Sequence, residues 1–170
     1  MLMFPPFYDC NADQEKMNKI ANAVILFIAQ GAWSGRSPFA PGTAGTMVGV
    51  LLYLGLIQAG PILYAAATVL VCIVGTWVAG RAEELLGCTD CPSIVIDEIA
   101  GFLISLFLVP AGWGYILAAF FLFRIFDIIK PWPLFDLQRL HGGLGVMLDD
   151  VGAGVYTNVV LQIAAYFISR

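Results

Sequence analysis

Charge is what this chain has least of. Asp, Glu, Lys and Arg make up only 12% of its 170 residues while 60% are hydrophobic, against about 25% charged in an ordinary soluble domain. That much apolar surface exceeds what one small core hides, so a bilayer is the natural second solvent. The same balance excludes intrinsic disorder and a coiled coil. Basic residues are scarcer than acidic ones, eight against twelve, and the formal charge is −4. A nucleic-acid binder, which needs a basic face to displace counterions from phosphates, is thereby excluded. Histidine occurs once, at 141, and cysteine four times, at 10, 72, 88 and 91. A disulfide scaffold is excluded, and a closed zinc site lacks ligands, because Cys88-x-x-Cys91 has no second pair and His141 is about fifty residues away. The thiols are expected to be free and structural. Pro5, Pro6, Asp9, Asp13 and Glu15 open the chain without a basic or apolar leader, so no cleaved signal peptide is expected.

What is present is a series of apolar runs cut by turn residues. Residues 1–19 read as a polar N-terminal segment on the surface and 20–170 as a single helical domain. The run at 20–33 spans about 21 Å as a helix and is either interfacial or buried. Runs at 43–59 and 62–80, parted by Gly60-Pro61, read as a helical hairpin; runs at 94–109 and 113–129, around Pro110-Ala111-Gly112, read as a second; 151–168 closes the chain. As five membrane spans, these runs sort the charges by side. One side receives only Arg170. The other receives Lys16, Lys19, Arg36, Arg81, Arg124, Lys130, Arg139 and all twelve acids, and the positive-inside rule makes it cytoplasmic. The expected fold is an all-α, polytopic membrane bundle with short spans and a polar site on the cytoplasmic face. The competing reading is an apolar helical domain that buries the runs against each other, alone or as a homo-oligomer.

The acids gather in three places: Asp97-Glu98 at the start of the third run, Asp127 near the end of the fourth, and Asp149-Asp150 just before the fifth. Acids at a membrane edge need compensation. A hard divalent cation supplies it, and oxygen ligands favour Mg²⁺; alternatively Asp97, Asp149 and Asp150 cap helix N-termini, a role that Asp127 cannot share. Arg124, Asp127 and Lys130 fall on one broad helix face that Pro131 ends. Two cations beside a carboxylate suit a phosphate next to a metal, or else an internal ion pair with Lys130 reaching to the interface. Glycine-bearing loops at 37–46 and 141–145, with Thr43 and Thr46 at a helix start, either cradle an anion or are plain turns. His141 either donates a proton to a leaving alkoxide or is structural.

Four ordered blocks carry a resemblance: S-P-F-A-P-G-T-A-G-T (37–46), S-I-V-I-D-E-I-A-G (93–101), F-R-I-F-D-I-I-K-P-W-P (123–133) and H-G-G-L-G-V-M-L-D-D-V-G-A-G (141–154). In these blocks the chain resembles the phosphatidylglycerophosphatase A family. Residues 1–30 and the C-T-D-C at 88–91 stand outside the match. The resemblance implies removal of the phosphate monoester from phosphatidylglycerophosphate, an anionic phospholipid, in a Mg²⁺-dependent step at the bacterial inner membrane. With the acid clusters it leads to the expectation that Asp97, Glu98, Asp127, Asp149 and Asp150 hold one or two Mg²⁺. Asp97, Asp127 and Asp150 are then catalytic, and Arg124, Lys130, Arg36, Thr43, Thr46 and His141 contact the substrate. Metal-activated water is the simplest nucleophile, since no Ser or Cys is paired with a base.

Two rival readings remain. A CDP-alcohol transferase would carry an aspartate-glycine followed by alanine-arginine, whereas Asp150 is followed by Val-Gly-Ala-Gly. A cation transporter or structural membrane protein would want its acids near the midplane.

Overall fold

The computed structural model describes residues 10–170, with side chains from residue 15. The first half of the polar N-terminal segment, residues 1–9, lies outside the described residues. The helices are α1 (Cys10–Ala29), α2 (Pro41–Leu56), α3 (Pro61–Leu86), α4 (Ile96–Ser105), α5 (Trp113–Ile129), the single turn α6 (Leu134–Leu137) and α7 (Gly143–Ile168). No strand occurs among the described residues. Proline at the first position starts α2 and α3, where its missing N–H costs nothing, and Gly87 in the left-handed region ends α3.

Three helical stretches, Pro41–Ala59, Pro61–Leu86 and Gly143–Ile168, are long and apolar enough to cross a membrane. The run at 113–129 forms the 17-residue α5 as expected. The run at 94–109 is not one long spanning helix: α4 has ten residues, eight of them buried, and turns carry the chain on to Val109 beside Gly60 and Pro61. The apolarity of this run reflects burial among other helices, not contact with lipid, and hydropathy does not separate the two. α4 is the hub of the bundle, packed most closely on α7 and next on α2 and α3.

A helix that stops inside a bundle leaves orphan carbonyls, and here polar side chains from neighbouring helices take them. The Tyr64 hydroxyl donates to the Leu103 carbonyl at 2.6 Å. The Asn158 amide donates to the carbonyls of Ser105 (3.2 Å) and Phe107 (2.8 Å), and the Gln162 amide donates to Phe107 at 3.2 Å. At the other end, the Val95 N–H donates to the carbonyl of Ala29, at the end of α1. Non-helical backbone at membrane depth persists only when satisfied in this way.

Glycines set how closely the hub is held. A Cβ on Gly154 would lie 2.3 Å from the Gly101 carbonyl oxygen, and one on Gly101 would lie 2.5 Å from the Asp150 carbonyl oxygen. The backbones of α4 and α7 are therefore in direct contact, as small residues permit in membrane bundles. Gly154→Val should force them apart and destabilise the fold by about 1–3 kcal/mol. Unfolding in mixed micelles of increasing denaturing detergent checks this, and an unchanged midpoint would refute the close crossing.

The expectation of free thiols is corrected at Cys88 and Cys91, and the Cys10 side chain lies outside the described residues. Cys88 and Cys91 are joined in a disulfide with Cα atoms 5.7 Å apart, while Cys72 is free. The chain turns sharply after Gly87, with Asp90 at φ 50°, and this folds the two sulfurs onto each other.

Candidate active site

Five carboxylates converge where α2, α4, α5 and α7 meet. Asp97 and Glu98 stand in the first turn of α4, Asp127 near the end of α5, and Asp149 and Asp150 in the second turn of α7. The last two are therefore not caps: α7 begins at Gly143, earlier than the apolar run suggested, because Gly143 fits against the Thr76 carbonyl of α3. Asp97, Glu98 and Asp150 each offer a carboxylate oxygen, and these atoms lie within 4.8 Å of one another. Asp127 is close enough to Asp150 for the two to interact.

Charge is unevenly shared. Arg124 Nη1 lies 2.7 Å from Asp127 Oδ2 and 3.8 Å from Glu98 Oε1, and Lys130 is paired with Asp149. Both cations thus lean on the outer carboxylates: Arg124 reaches the Asp97–Glu98–Asp150 triad only at Glu98, and among the described residues Asp97 and Asp150 have no paired cation. Two unit charges at this spacing repel by about 3 kcal/mol even at an effective dielectric near 20. Glu98 Oε2 and Asp149 Oδ1 are buried without any hydrogen-bond partner. An all-oxygen donor set with orphaned buried oxygens fits a hard divalent cation such as Mg²⁺.

The start of α2 closes on this cluster. A Cβ on Gly42 would lie 2.4 Å from Glu98 Oε1 and about 3 Å from both terminal nitrogens of Arg124, at 2.9 and 3.0 Å. Only glycine brings backbone so near, and the first N–H groups of α2 have no intrahelical acceptor. Gly42 is the site residue that the sequence reading passed over, although it stands inside the 37–46 block; glycine directly after the helix-starting proline was the available signal.

The other expected contacts are placed differently. The Thr46 hydroxyl is fully buried and donates to the Gly42 carbonyl at 2.9 Å, so it braces the start of α2. Thr43 is half-buried in the same turn. Arg36 donates from Nε to Gln30 Oε1 at 2.7 Å and lies over the Trp33 ring. His141 is exposed and lines a polar cavity of about 350 Å³ with Glu83, Asp90, Gln138 and Arg139, apart from the carboxylates.

Depth is the other finding. A Cβ on Gly75 of α3 would touch Ile96 Cγ1 at 3.1 Å and Met147 Cε at 2.5 Å, so the start of α4 and the second turn of α7 are level with Gly75. The first charged residue of α3, Arg81, is about 9 Å further along the helix. Between them the outward surface of α3 is still apolar, with Trp77 exposed. The cluster thus sits below the polar end of the bundle, level with an apolar stretch of α3.

The comparisons with known proteins point to one family and name two lipid headgroups among its members. The family model described as Phosphatidylglycerophosphatase A matches residues 27–165. A protein of Escherichia coli named Phosphatidylglycerophosphatase A is 36% identical over 146 residues, covering 84% of this chain and 82% of its own length. Its namesake in Haemophilus influenzae is 38% identical over 147 residues, covering 84% of this chain and 90% of its own. A Bacteroides thetaiotaomicron protein, named provisionally as a phosphatidylinositol-3-phosphatase, is 40% identical over 151 residues, covering 84% and 94%. No solved structure matches the chain significantly.

Proposed function

The chain belongs to the phosphatidylglycerophosphatase A family, and on that premise we propose that it hydrolyses the phosphate monoester of phosphatidylglycerophosphate to phosphatidylglycerol and inorganic phosphate. The observation that carries the reading is the triad of buried Asp97, half-buried Glu98 and buried Asp150 beside Arg124 and the Gly42 backbone. An anionic substrate would be repelled by bare carboxylates, so the site calls for a cation among them. Asp97, Glu98 and Asp150 would hold Mg²⁺, with Asp127 and Asp149 completing one larger site. Bound there, the ion would supply Lewis-acid stabilisation of the phosphoryl oxygens and a water of lowered pKa.

The chain's own groups do the rest. Arg124 and the free N–H groups at the start of α2 bind the non-bridging oxygens, in a site where such donors count for more than in water. Asp127 holds the guanidinium in place, and Lys130, held by Asp149, adds positive charge on the same flank. Water attacks phosphorus in line, the bond from phosphorus to the glycerol oxygen breaks, and a cluster aspartate takes the water's proton and passes it on to the leaving alkoxide. Arg124→Lys keeps the charge but loses the two-pronged fork, so kcat/KM should fall about 10- to 100-fold. Steady-state kinetics check this, and an unchanged value would remove Arg124 from the phosphate site.

Seven basic residues on the carboxylate side support a cytoplasmic-facing site in a bacterial inner membrane. The test is inorganic phosphate release by purified protein in detergent, with Mg²⁺ and then with EDTA. Release from phosphatidylglycerophosphate that EDTA abolishes is the expected result. Phosphatidylinositol 3-phosphate run in parallel decides between the two headgroups named among the relatives. Folded protein that releases phosphate from neither would bring the cation-transporter or structural reading forward.

A further inference from the structure

The cluster lies below the polar face, so how a lipid phosphate reaches it is a question of which wall is open. The walls made by α4 and α7 are closed, with Asp97, Asp149 and Asp150 all buried. The remaining side is partly open: the side chains of Arg124 and Lys130 are 20% and 21% exposed. On one flank stands Phe39, 83% exposed, three residues before Gly42. On the other stand Ile128, Ile129 and Trp132, the last 81% exposed, around Lys130 at the end of α5. A cationic opening with apolar lips complements a molecule with an anionic head and an apolar body, and a freely soluble phosphate ester has no use for the lips.

We propose that the substrate enters sideways from the leaflet, its phosphate passing between the loop before α2 and the end of α5. Its diacylglycerol portion then lies against Phe39, Ile128, Ile129 and Trp132. This rests on the phosphatase reading and adds to it the route and the apolar half of the recognition. The lips are continuous with the site through Gly42 on one side and Lys130 on the other. Removing both aromatic rings therefore weakens capture of the acylated substrate without altering the groups that face phosphorus.

The experiment compares protein reconstituted in phosphatidylcholine vesicles on two substrates, diacyl phosphatidylglycerophosphate and its deacylated headgroup. The double variant Phe39→Ser, Trp132→Ser should lower kcat/KM on the lipid, relative to that on the headgroup, by about tenfold or more, chiefly through KM. Trp113→Ser, which removes an exposed aromatic from the opposite end of α5, should leave the ratio unchanged. Equal losses on both substrates, an equal loss in Trp113→Ser, or an unchanged KM for the lipid in the double variant would each overturn the proposal. Failure of the phosphatase reading shows separately, as wild-type protein that releases phosphate from neither substrate.

Discussion

Asp150→Asn is expected to cut turnover by about a thousandfold and to leave a folded protein that Mg²⁺ no longer stabilises. Asp150 is buried in the second turn of α7, and its carboxylate shares a space under 5 Å across with Asp97 and Glu98, their oxygens lying within 4.8 Å. Asparagine keeps the shape and one acceptor but removes the charge that a hard cation requires. It also removes repulsion, so the metal-free variant should melt no lower than metal-free wild type. Mg²⁺ should raise the wild-type melting temperature by mass action and leave that of the variant where it was. Asp97→Asn should behave in the same way. Wild-type activity in either variant, or an undiminished Mg²⁺ shift, would take that residue out of the cation site. Such a residue trades stability for function, since the arrangement that serves catalysis is the one that costs most when empty.

The second large effect is expected at Gly42. Ala is accepted by the helical backbone there, but its Cβ would need the place held by Glu98 Oε1 and the Arg124 guanidinium, 2.4 to 3.0 Å away. Both side chains must swing aside, and displacement of about 1 Å at a reacting centre costs about 100-fold in rate. Gly42→Ala should therefore lose about that factor in kcat/KM while its helical circular dichroism and melting temperature stay near wild type. Gly55→Ala in the same helix, where nothing lies within 4 Å of the added carbon, is the control and should be silent. Full activity in Gly42→Ala would mean that α2 does not close on the site.

Much of this was legible in the sequence, and the limits have physical reasons. Turn residues at 60–61 and 110–112 stand where α3 and α5 begin, because proline and glycine act locally, whereas α3 runs on to Leu86, past the expected end at 80. The acids were legible as clusters because they stand in or directly beside apolar runs that hold no other charge but Arg124. Their depth was not: hydropathy placed the start of the last span at 151, but α7 begins at Gly143, since a glycine-rich, two-acid segment reads as a loop until α3 and α4 are packed against it. The same blindness made α4 a span. A run of apolar residues is equally consistent with lipid and with other helices, and only contacts such as Gly101 on Gly154 decide. Thr46 looked like a ligand because hydroxyls at helix starts often are; its proton goes to Gly42.

The brevity of α4 bears on how the protein is made. Ten residues, two of them acidic, reach about 15 Å and cannot hold a bilayer position unaided. The helix that α4 packs on most closely, α7, is synthesised after it, and it brings Asn158 and Gln162 to the carbonyls at the end of α4. Until α7 leaves the ribosome, then, α4 has no finished berth in the membrane and its exit carbonyls have no donors from that side. The five carboxylates come together only once α7 is in place, since Asp149 and Asp150 stand on that helix and Asp97, Glu98 and Asp127 on earlier ones.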